Sequence, residues 1–186
     1  SILNKDEIIF MDVLKSENLF NFMYILPFSQ KRMLIETTYF STILLPDEVY
    51  KKDIKDYLDK NYYGKKYKIN FFESGIIPMF KLKQSNMRNC IRIGVSGNWA
   101  KLSTGYSLQN SFVHSRQIVD CILKKQYPSI HKKSICNFLD ETFCKFIKND
   151  PNNSALFFKE FFKNNNLKTI VNFLTDSASL LEIIKI

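Results

Sequence analysis

The chain has 186 residues, a formal net charge of +9 at pH 7 and an apolar fraction of 45%. This length is enough to bury a sizeable core, and the composition is typical of an ordered globular domain, which excludes a disordered chain. No apolar run reaches the roughly 18 residues that a membrane-spanning helix needs, and the sequence opens with no recognisable secretory signal. Because the first residue is Ser1 and ordered sequence follows at once, we expect a piece of a longer protein.

Cysteine and histidine usage predicts a reducing compartment and no metal site. There are four cysteines without a C-x-x-C pair, and the histidines are His114 and His131. Neither type has the spacing of zinc ligands. His114 and Cys121 lie seven residues apart on one face of a predicted helix. This leaves a Cys–His catalytic pair open beside the simpler interpretation of a helix with a buried thiol.

The first forty residues predict an antiparallel meander. Apolar and aromatic runs at Ile8–Leu14, Leu19–Leu26 and Arg32–Phe40 are separated by polar breaks, as in short neighbouring strands. The segment Pro27–Lys31 has the length and composition of a hairpin turn.

Beyond the meander the pattern changes from strands to helices. A helix is predicted to begin at Asp47, where apolar residues follow at helical spacing, and to stop before Gly64. Tyr67–Phe72, Ile76–Leu82 and Arg92–Val95 are predicted to be further strands. Four more helices are predicted over residues 108–122, 130–148, 152–163 and 167–186.

Three segments and the tail, in this order and at this spacing, resemble the lycopene cyclase family of flavoproteins. The segments are FMYILPFS (22–29) with RMLIETTYFS (32–41), ESGIIPM (73–79), and RIG (92–94) through STGY (103–106); the tail adds FL (138–139), DP (150–151) and NFLTD (172–176). Each motif is weak alone, whereas the ordered set is fairly specific and spans nearly the whole chain.

The resemblance implies an α+β fragment of an FAD/NAD(P)-binding fold of the glutathione-reductase type. Its antiparallel substrate-domain sheet, with one helix, would occupy residues 1–89. A flavin-contacting strand–loop–helix would occupy 90–127, and C-terminal helices 128–186. The five glycines cannot supply a Gly-x-Gly-x-x-Gly fingerprint. Either the dinucleotide-binding unit lies outside this chain, which the motif set favours, or the protein is not a dinucleotide-binding protein.

The resemblance also implies a reaction, a substrate and cofactors. A lycopene cyclase, an enzyme of the intramolecular lyase or isomerase class in carotenoid biosynthesis, protonates a terminal double bond of linear lycopene. The carbocation closes a six-membered ring, and loss of a proton gives a β-ionone end group without net redox change. The family uses reduced FAD, which NADPH keeps reduced. The sequence does not distinguish β from ε rings, or cyclisation at one end from cyclisation at both.

Two carboxylates are candidates for the acid chemistry. Glu36 follows Met33, Leu34 and Ile35 and aligns with the family's acidic motif, and burial among such neighbours would favour its protonated form. From the residues alone, a solvent-facing strand glutamate is the simpler interpretation. Many family members carry a second acidic residue where this chain has Thr37, so activity depends on which carboxylate donates the proton. Glu73 is the second candidate, with a strand-end glutamate bonded to turn amides as the alternative.

Small residues near position 100 are the candidate cofactor segment. In the superfamily that the chain resembles, a strand–Gly–loop–helix wraps the flavin with backbone N–H groups and a helix N-terminus. The alternative is an ordinary loop with a capping Ser or Thr. The residues that match the flavin-contacting element are Gly94, Gly97, Ser103, Thr104, Gly105 and Tyr106.

Aromatic residues on the predicted strands are candidates for a substrate channel, because ring faces stabilise positive charge. Plain sheet core is the alternative for each of them. The proposed channel residues are Phe22, Tyr24, Tyr39, Phe71 and Phe80.

The excess of lysine has three interpretations. It suits docking on an anionic membrane surface, which a carotene-converting enzyme needs, or it is a plain solvated surface. A nucleic-acid footprint is the third, but no nucleic-acid motif accompanies it. We expect a cytoplasmic, peripheral membrane protein with no nucleic acid partner; oligomeric state is not predicted.

Three rival functions remain open at the level of sequence. One is another FAD-dependent enzyme of the same fold, a monooxygenase or an isoprenoid reductase. Another is a basic binding module without catalysis, whose affinity would fall steeply with salt. The third is a degenerate or truncated cyclase.

Overall fold

The structure, a computed structural model, describes residues 4–14, 18–83, 90–128 and 134–185. The chain divides into two compact units. The first comprises Ser1–Gly75 with Ile147–Ala155, and the second comprises Ile76–Phe146 with Leu156–Ile186. Within the described ranges the secondary structure is mixed, with one three-stranded antiparallel sheet and several helices.

The predicted meander is confirmed in the first unit. Strands β1 (Ile9–Leu14), β2 (Phe20–Ser29) and β3 (Arg32–Phe40) pair antiparallel in the order β1-β2-β3. The turn between β2 and β3 is shorter than the predicted five residues, because Pro27 and Phe28 extend β2 and Ser29 pairs with Arg32. The Ser29 hydroxyl accepts a hydrogen bond from the Lys31 amide at 3.2 Å and closes this tight connection.

Helix α1 (Asp47–Asn61) covers one face of the sheet and builds the core of the first unit. Met23 and Ile25 of β2 are almost fully buried and pack with Tyr57 of α1. The helix begins at the predicted residue, with acidic side chains in its first turn that suit the positive end of the helix dipole. Gly64, just beyond its end, has φ +71°, a value that a side chain would disfavour.

Three predicted strands are wrong. Tyr67–Phe72 and Ile76–Leu82 are irregular, and Arg92–Val95 leads instead into a short 3-10 helix at Gly94–Gly97. An alternating pattern specifies a strand only where a second strand supplies hydrogen-bond partners. In the described part of the chain, residues 66–81 make no backbone hydrogen bond.

The remaining helices were predicted nearly in place. They are α2 (Leu108–Leu123), α3 (Ser134–Asn149), α4 (Pro151–Asn164), α5 (Leu167–Leu174) and α6 (Leu180–Lys185). The single helix predicted over residues 167–186 is instead two, α5 and α6, because the chain turns between them at Asp176, where φ is +54°. Residues 130–133 of the predicted third helix lie outside the described residues.

Contacts between phenylalanine rings connect α3, α4 and α5 in the second unit. Phe158 of α4 is 5% exposed and meets Phe143 of α3 edge to face at 5.3 Å between ring centroids. Phe161 of α4 packs on Phe173 of α5 at 5.7 Å. The described helices include none that is both long and apolar enough to cross a membrane.

Candidate functional site

Glu36 lies in the middle of β3, directly opposite Tyr24 of β2. Its carboxylate is exposed and accepts a hydrogen bond from the Thr38 hydroxyl at 2.9 Å. The expected burial of Glu36 is therefore wrong for this structure. Met33 and Ile35, its apolar neighbours in sequence, point to the opposite face of the sheet, where they pack beside α1.

The sheet face that carries Glu36 is aromatic. Phe10 of β1 meets the ring of Tyr24 edge to face at 6.1 Å. Phe22 lies 5.8 Å from Phe20 and 6.0 Å from Phe40, measured between ring centroids. We call this side of the sheet the aromatic face; it comprises Phe10, Val13, Phe20, Phe22, Tyr24, Leu26, Leu34, Glu36, Thr38 and Phe40. Phe20 and Phe40 at one end of it are buried. Two of the predicted channel residues, Phe22 and Tyr24, therefore share a face with the candidate acid.

Thr37 and Tyr39 belong to the other face, in contact with α1. The Thr37 hydroxyl donates to the Asn21 side-chain oxygen at 3.2 Å, and the Asn21 amide donates to Asp53 at 3.1 Å. The Tyr39 hydroxyl donates to the same Asp53 carboxylate. Burial, reinforced by this carboxylate, raises the pKa of Tyr39 far above its usual range. Tyr39 therefore does not join Tyr24 and Glu36 on one surface.

The other sequence-predicted residues of this group lie on irregular, exposed chain. Glu73 and Phe71 are exposed in the first unit, and Phe80 is 64% exposed in the second. None of the three lies on a strand. Among the residues that the structure describes, no hydrogen bond joins Glu73 to Glu36.

The backbone conformation and close packing of the glycine-containing segment explain its small residues. Gly94 has φ +59° and open space where a Cβ would lie. A Cβ on Gly97 would come within 2.5 Å of the Arg92 carbonyl oxygen, so no larger residue fits there. Asn98 adopts a left-handed backbone with φ +57°. Its side chain accepts from the Leu82 amide at 2.7 Å and donates to the Leu82 carbonyl at 3.0 Å, in the manner of a strand partner.

Lys101 is the centre of the loop that follows. Its backbone N–H donates to the Tyr106 carbonyl at 2.8 Å, and its carbonyl accepts from the amides of Gly105 at 2.7 Å and Thr104 at 3.2 Å. The Thr104 hydroxyl accepts from the Tyr106 amide at 3.3 Å. Gly105 has φ +74°, and the loop is thus closed on itself by main-chain bonds.

The Lys101 side chain enters a buried charge cluster that sequence analysis missed. The ammonium, 1% exposed, lies 2.8 Å from Asp140 of α3 and 2.7 Å from Asp176 after α5. The Phe173 ring centroid is 4.4 Å away. The Ser103 hydroxyl donates to Asp140 at 2.7 Å, so this candidate cofactor residue directs its side chain into the protein. The sequence signal for this cluster is the single lysine, Lys101, among the apolar residues of Trp99–Leu102.

The electrostatics of the cluster follow from two carboxylates sharing one ammonium. Burial disfavours the charged form of Lys101, but attraction from both carboxylates outweighs it and raises the lysine pKa above its usual range. Burial raises the pKa of Asp140, and the positive charge of Lys101 opposes this increase only in part. The Asn110 amide donates to the Trp99 carbonyl at 2.9 Å and to Asp176 at 3.4 Å, which adds a neutral partner.

The segment retains backbone groups that suit a flavin. Ser107 precedes α2 without a side-chain cap, so the first N–H groups of this helix are available to an anion such as a diphosphate. The open space at Gly94 would let the main chain approach a ring closely. The residues present therefore fit a flavin through their main chain, whereas the Ser103 hydroxyl is already engaged.

The histidine and cysteine candidates form no catalytic pair in the described chain. The His114 ring packs edge to face on Trp99 at 5.4 Å, and its Nδ1 lies 3.2 Å from the Gln117 side-chain oxygen. Its Nε2 is buried without a hydrogen-bond partner among the described residues. Cys121 is a free thiol, and no group of His, Cys, Asp and Glu able to hold a metal occurs within the described ranges.

The fold and site define a mixed α/β protein with a carboxylate on an aromatic sheet face and a glycine-containing loop before a helix. The family model described as lycopene cyclase protein matches residues 3–186. The chain therefore belongs to the lycopene cyclase family, and the resemblance found from its motifs is confirmed. No curated protein and no solved structure matches it.

Proposed function

We propose that this chain carries the acid and part of the cofactor contact of a lycopene cyclase that makes β-ionone rings. Membership of the family supports a role in carotenoid cyclisation. The observation that carries the proposal is the Glu36 carboxylate opposite Tyr24 on the aromatic face. An apolar polyene would lie on that face with a terminal double bond near this carboxyl.

The reaction requires one proton to enter and one to leave. The protonated Glu36 carboxyl would add its proton to the terminal double bond, and the resulting carbocation would be attacked by a second double bond to close the ring. The carboxylate would then take a proton from the carbon beside the new cation. Atoms and electrons balance without an oxidant, because the product is an isomer of the substrate.

The exposure of Glu36 to solvent matters for its proposed role as an acid. Without a substrate its carboxylate is exposed to water. A polyene on the aromatic face would displace that water and leave aromatic rings around the reaction. Tyr24 and Phe22 would then present ring faces to the developing positive charge. Glu73, on exposed irregular chain, remains a second candidate for proton transfer.

The cofactor part of the proposal concerns the segment from Gly94 to the start of α2. Backbone N–H groups at the uncapped α2 N-terminus would hold the flavin diphosphate, and the open space at Gly94 would let the main chain approach it. Gly97 and Gly105 would shape the segment instead, because protein atoms of Arg92 and Ile77 lie close to where their Cβ atoms would be. A bound reduced FAD, maintained by NADPH, supplies an electron-rich ring that stabilises positive charge. In this chain the Thr104 hydroxyl is engaged by the Tyr106 amide and shapes the loop, whereas the Tyr106 side chain stays a candidate for flavin contact.

The substrate also determines the proposed location. Lycopene dissolves in lipid and not in water, so the enzyme must meet it at a bilayer. The net charge of +9 suits attachment to anionic lipid, at ~1 kcal/mol per basic residue near the surface. We therefore place the protein in the cytoplasm as a peripheral membrane protein.

The test is expression of the full-length protein in bacteria that accumulate lycopene, with pigments separated by chromatography. The wild type should form cyclic carotenes. Glu36→Gln should abolish them at an unchanged protein level, whereas Glu48→Gln, an exposed glutamate on α1, should not. Absence of cyclic pigment from the wild type would refute the cyclase. Full activity of Glu36→Gln would refute Glu36 as the acid and direct the same test to Glu73.

A further inference from the structure

The loop from Gly94 to Tyr106 is held by a charge that solvent does not reach. Lys101 is 1% exposed, a rare state for a lysine unless it is paired. Both of its partners come from distant parts of the second unit, Asp140 from α3 and Asp176 from the turn after α5. The loop is thereby tied to two helical elements through one side chain.

The same residue organises the loop through its main chain. Its N–H and carbonyl bond to Tyr106, Gly105 and Thr104, so the backbone between positions 101 and 106 is closed around Lys101. Ser103 adds a second connection by donating to Asp140. A shift of the Lys101 side chain would therefore move the segment that leads directly into α2.

Buried ion pairs are weak evidence for stability, since apolar residues of similar size often replace them without loss. Their geometry, in contrast, fixes one arrangement of the chain, because an ammonium with two carboxylate partners has few alternatives. A loop that leads into a helix N-terminus whose N–H groups would meet a ligand gains from such a fixed arrangement.

We propose that Lys101, held by Asp140 and Asp176, is a positioning residue that fixes the loop 94–106 and the start of α2 for flavin binding. This inference rests on the proposed cofactor role of the segment. Lys101 itself does not touch the flavin; it acts through the main chain of its neighbours. The cluster is therefore a determinant of cofactor affinity that lies inside the protein.

The experiment measures loop order and FAD binding separately, in the full-length protein. Hydrogen exchange of the amides of Lys101, Thr104 and Gly105 reports the loop without any ligand. Quenching of FAD fluorescence reports binding. The variants are Lys101→Met, the milder Asp176→Asn, and the charge-free Lys101→Met/Asp140→Leu/Asp176→Asn, with the exposed Asp120→Asn of α2 as control.

We expect Lys101→Met to speed loop exchange and weaken FAD binding by about tenfold or more, and Asp176→Asn to do so to a smaller degree. The charge-free variant should regain global stability while its loop stays loose and its FAD affinity low. The control should match the wild type. If Lys101→Met does not fold, Asp176→Asn and the charge-free variant decide the question.

The proposal would be overturned if the charge-free variant regained loop protection and FAD affinity together with its stability. The cluster would then have a purely structural role. Unchanged exchange and binding in Asp176→Asn and in the charge-free variant would overturn it as well. A wild type that binds no FAD refutes the proposed cofactor and with it the role of Lys101 in binding. The exchange data would then still decide whether Lys101 orders the loop.

Discussion

The two units use their carboxylates in opposite ways. In the first unit Glu36 is exposed on the aromatic face and has a single neighbouring hydroxyl as a partner. In the second unit Asp140 is 3% exposed and holds a buried ammonium and a serine hydroxyl. In the proposed function, the carboxyl that exchanges a proton with the substrate has to be reachable, whereas the carboxyl that orders a loop has to be shielded.

The largest expected effect comes from breaking the buried cluster. Lys101→Met would leave two carboxylates without their ammonium, and removing one partner of a buried pair costs about 3–5 kcal/mol of unfolding free energy. Urea denaturation of the wild type and the variant measures this difference. Lys52→Met, which removes an exposed pair with Asp56, should leave the midpoint unchanged. A loss below about 1 kcal/mol in Lys101→Met would contradict the contrast between buried and surface pairs.

The second prediction tests the two faces of β3. Thr37→Asp would place a buried carboxylate on the α1 side beside Asn21 and Asp53, at a cost of about 3 kcal/mol, the upper end of the range for a neutral polar group. It would not restore an acid to the aromatic face, so cyclisation should not increase. Thr37→Val, which removes only a hydrogen bond, should cost about 1 kcal/mol. Increased activity in Thr37→Asp would mean that the substrate lies on the α1 side.

The third prediction concerns alkaline pH. Burial and the carboxylates of Asp53 and Asp12 raise the pKa of Tyr39 and Tyr57 above their ordinary value near 10. In the unfolded chain both tyrosines ionise near pH 10, so the folded state binds more protons above that pH. Their contribution to stability is full below pH 10 and is lost as the pH rises. Between pH 9 and 11, the free energy of unfolding measured by urea denaturation should fall less steeply in the double variant Tyr39→Phe/Tyr57→Phe than in the wild type. An identical slope in the two proteins would contradict the raised pKa values of these tyrosines.

The smallest effect is expected at α6. Glu182 accepts from the amide and hydroxyl of Ser179 and from Asn172, and these bonds lower its pKa to about 2. Its contribution is therefore full above the ordinary value of 4.5 and disappears as the pH falls toward 2. Glu182→Ala should speed amide exchange in α6 at neutral pH only, with Glu160→Ala as the control. A difference that persists at pH 2 would contradict the capping role.

Much of the fold follows from local pattern. The apolar and aromatic run Arg32–Phe40 and the helical spacing after Asp47 predicted β3 and α1 at their observed positions. Tyr67–Phe72 has an equally good strand pattern and is irregular, because a strand also requires a partner. Local preference therefore identified helices, which bond within themselves, more reliably than strands.

The candidate site was predicted only in part. Glu36, Phe22 and Tyr24 were chosen from motifs and do share one face. Tyr39 was grouped with them, but the register places it beside Asp53 on the other face. A one-residue step along a strand reverses the direction of a side chain, and sequence alone does not say which face is covered.

What the sequence determined by itself is the family, the antiparallel meander and the approximate positions of most helices, because motif order and periodicity are local properties. The tertiary structure alone decided that Glu36 is exposed while Lys101 is buried. It also decided that Lys101 meets carboxylates 39 and 75 positions away, at Asp140 and Asp176. Burial and ion pairing depend on which distant segments come together, and that information is not contained in the local pattern.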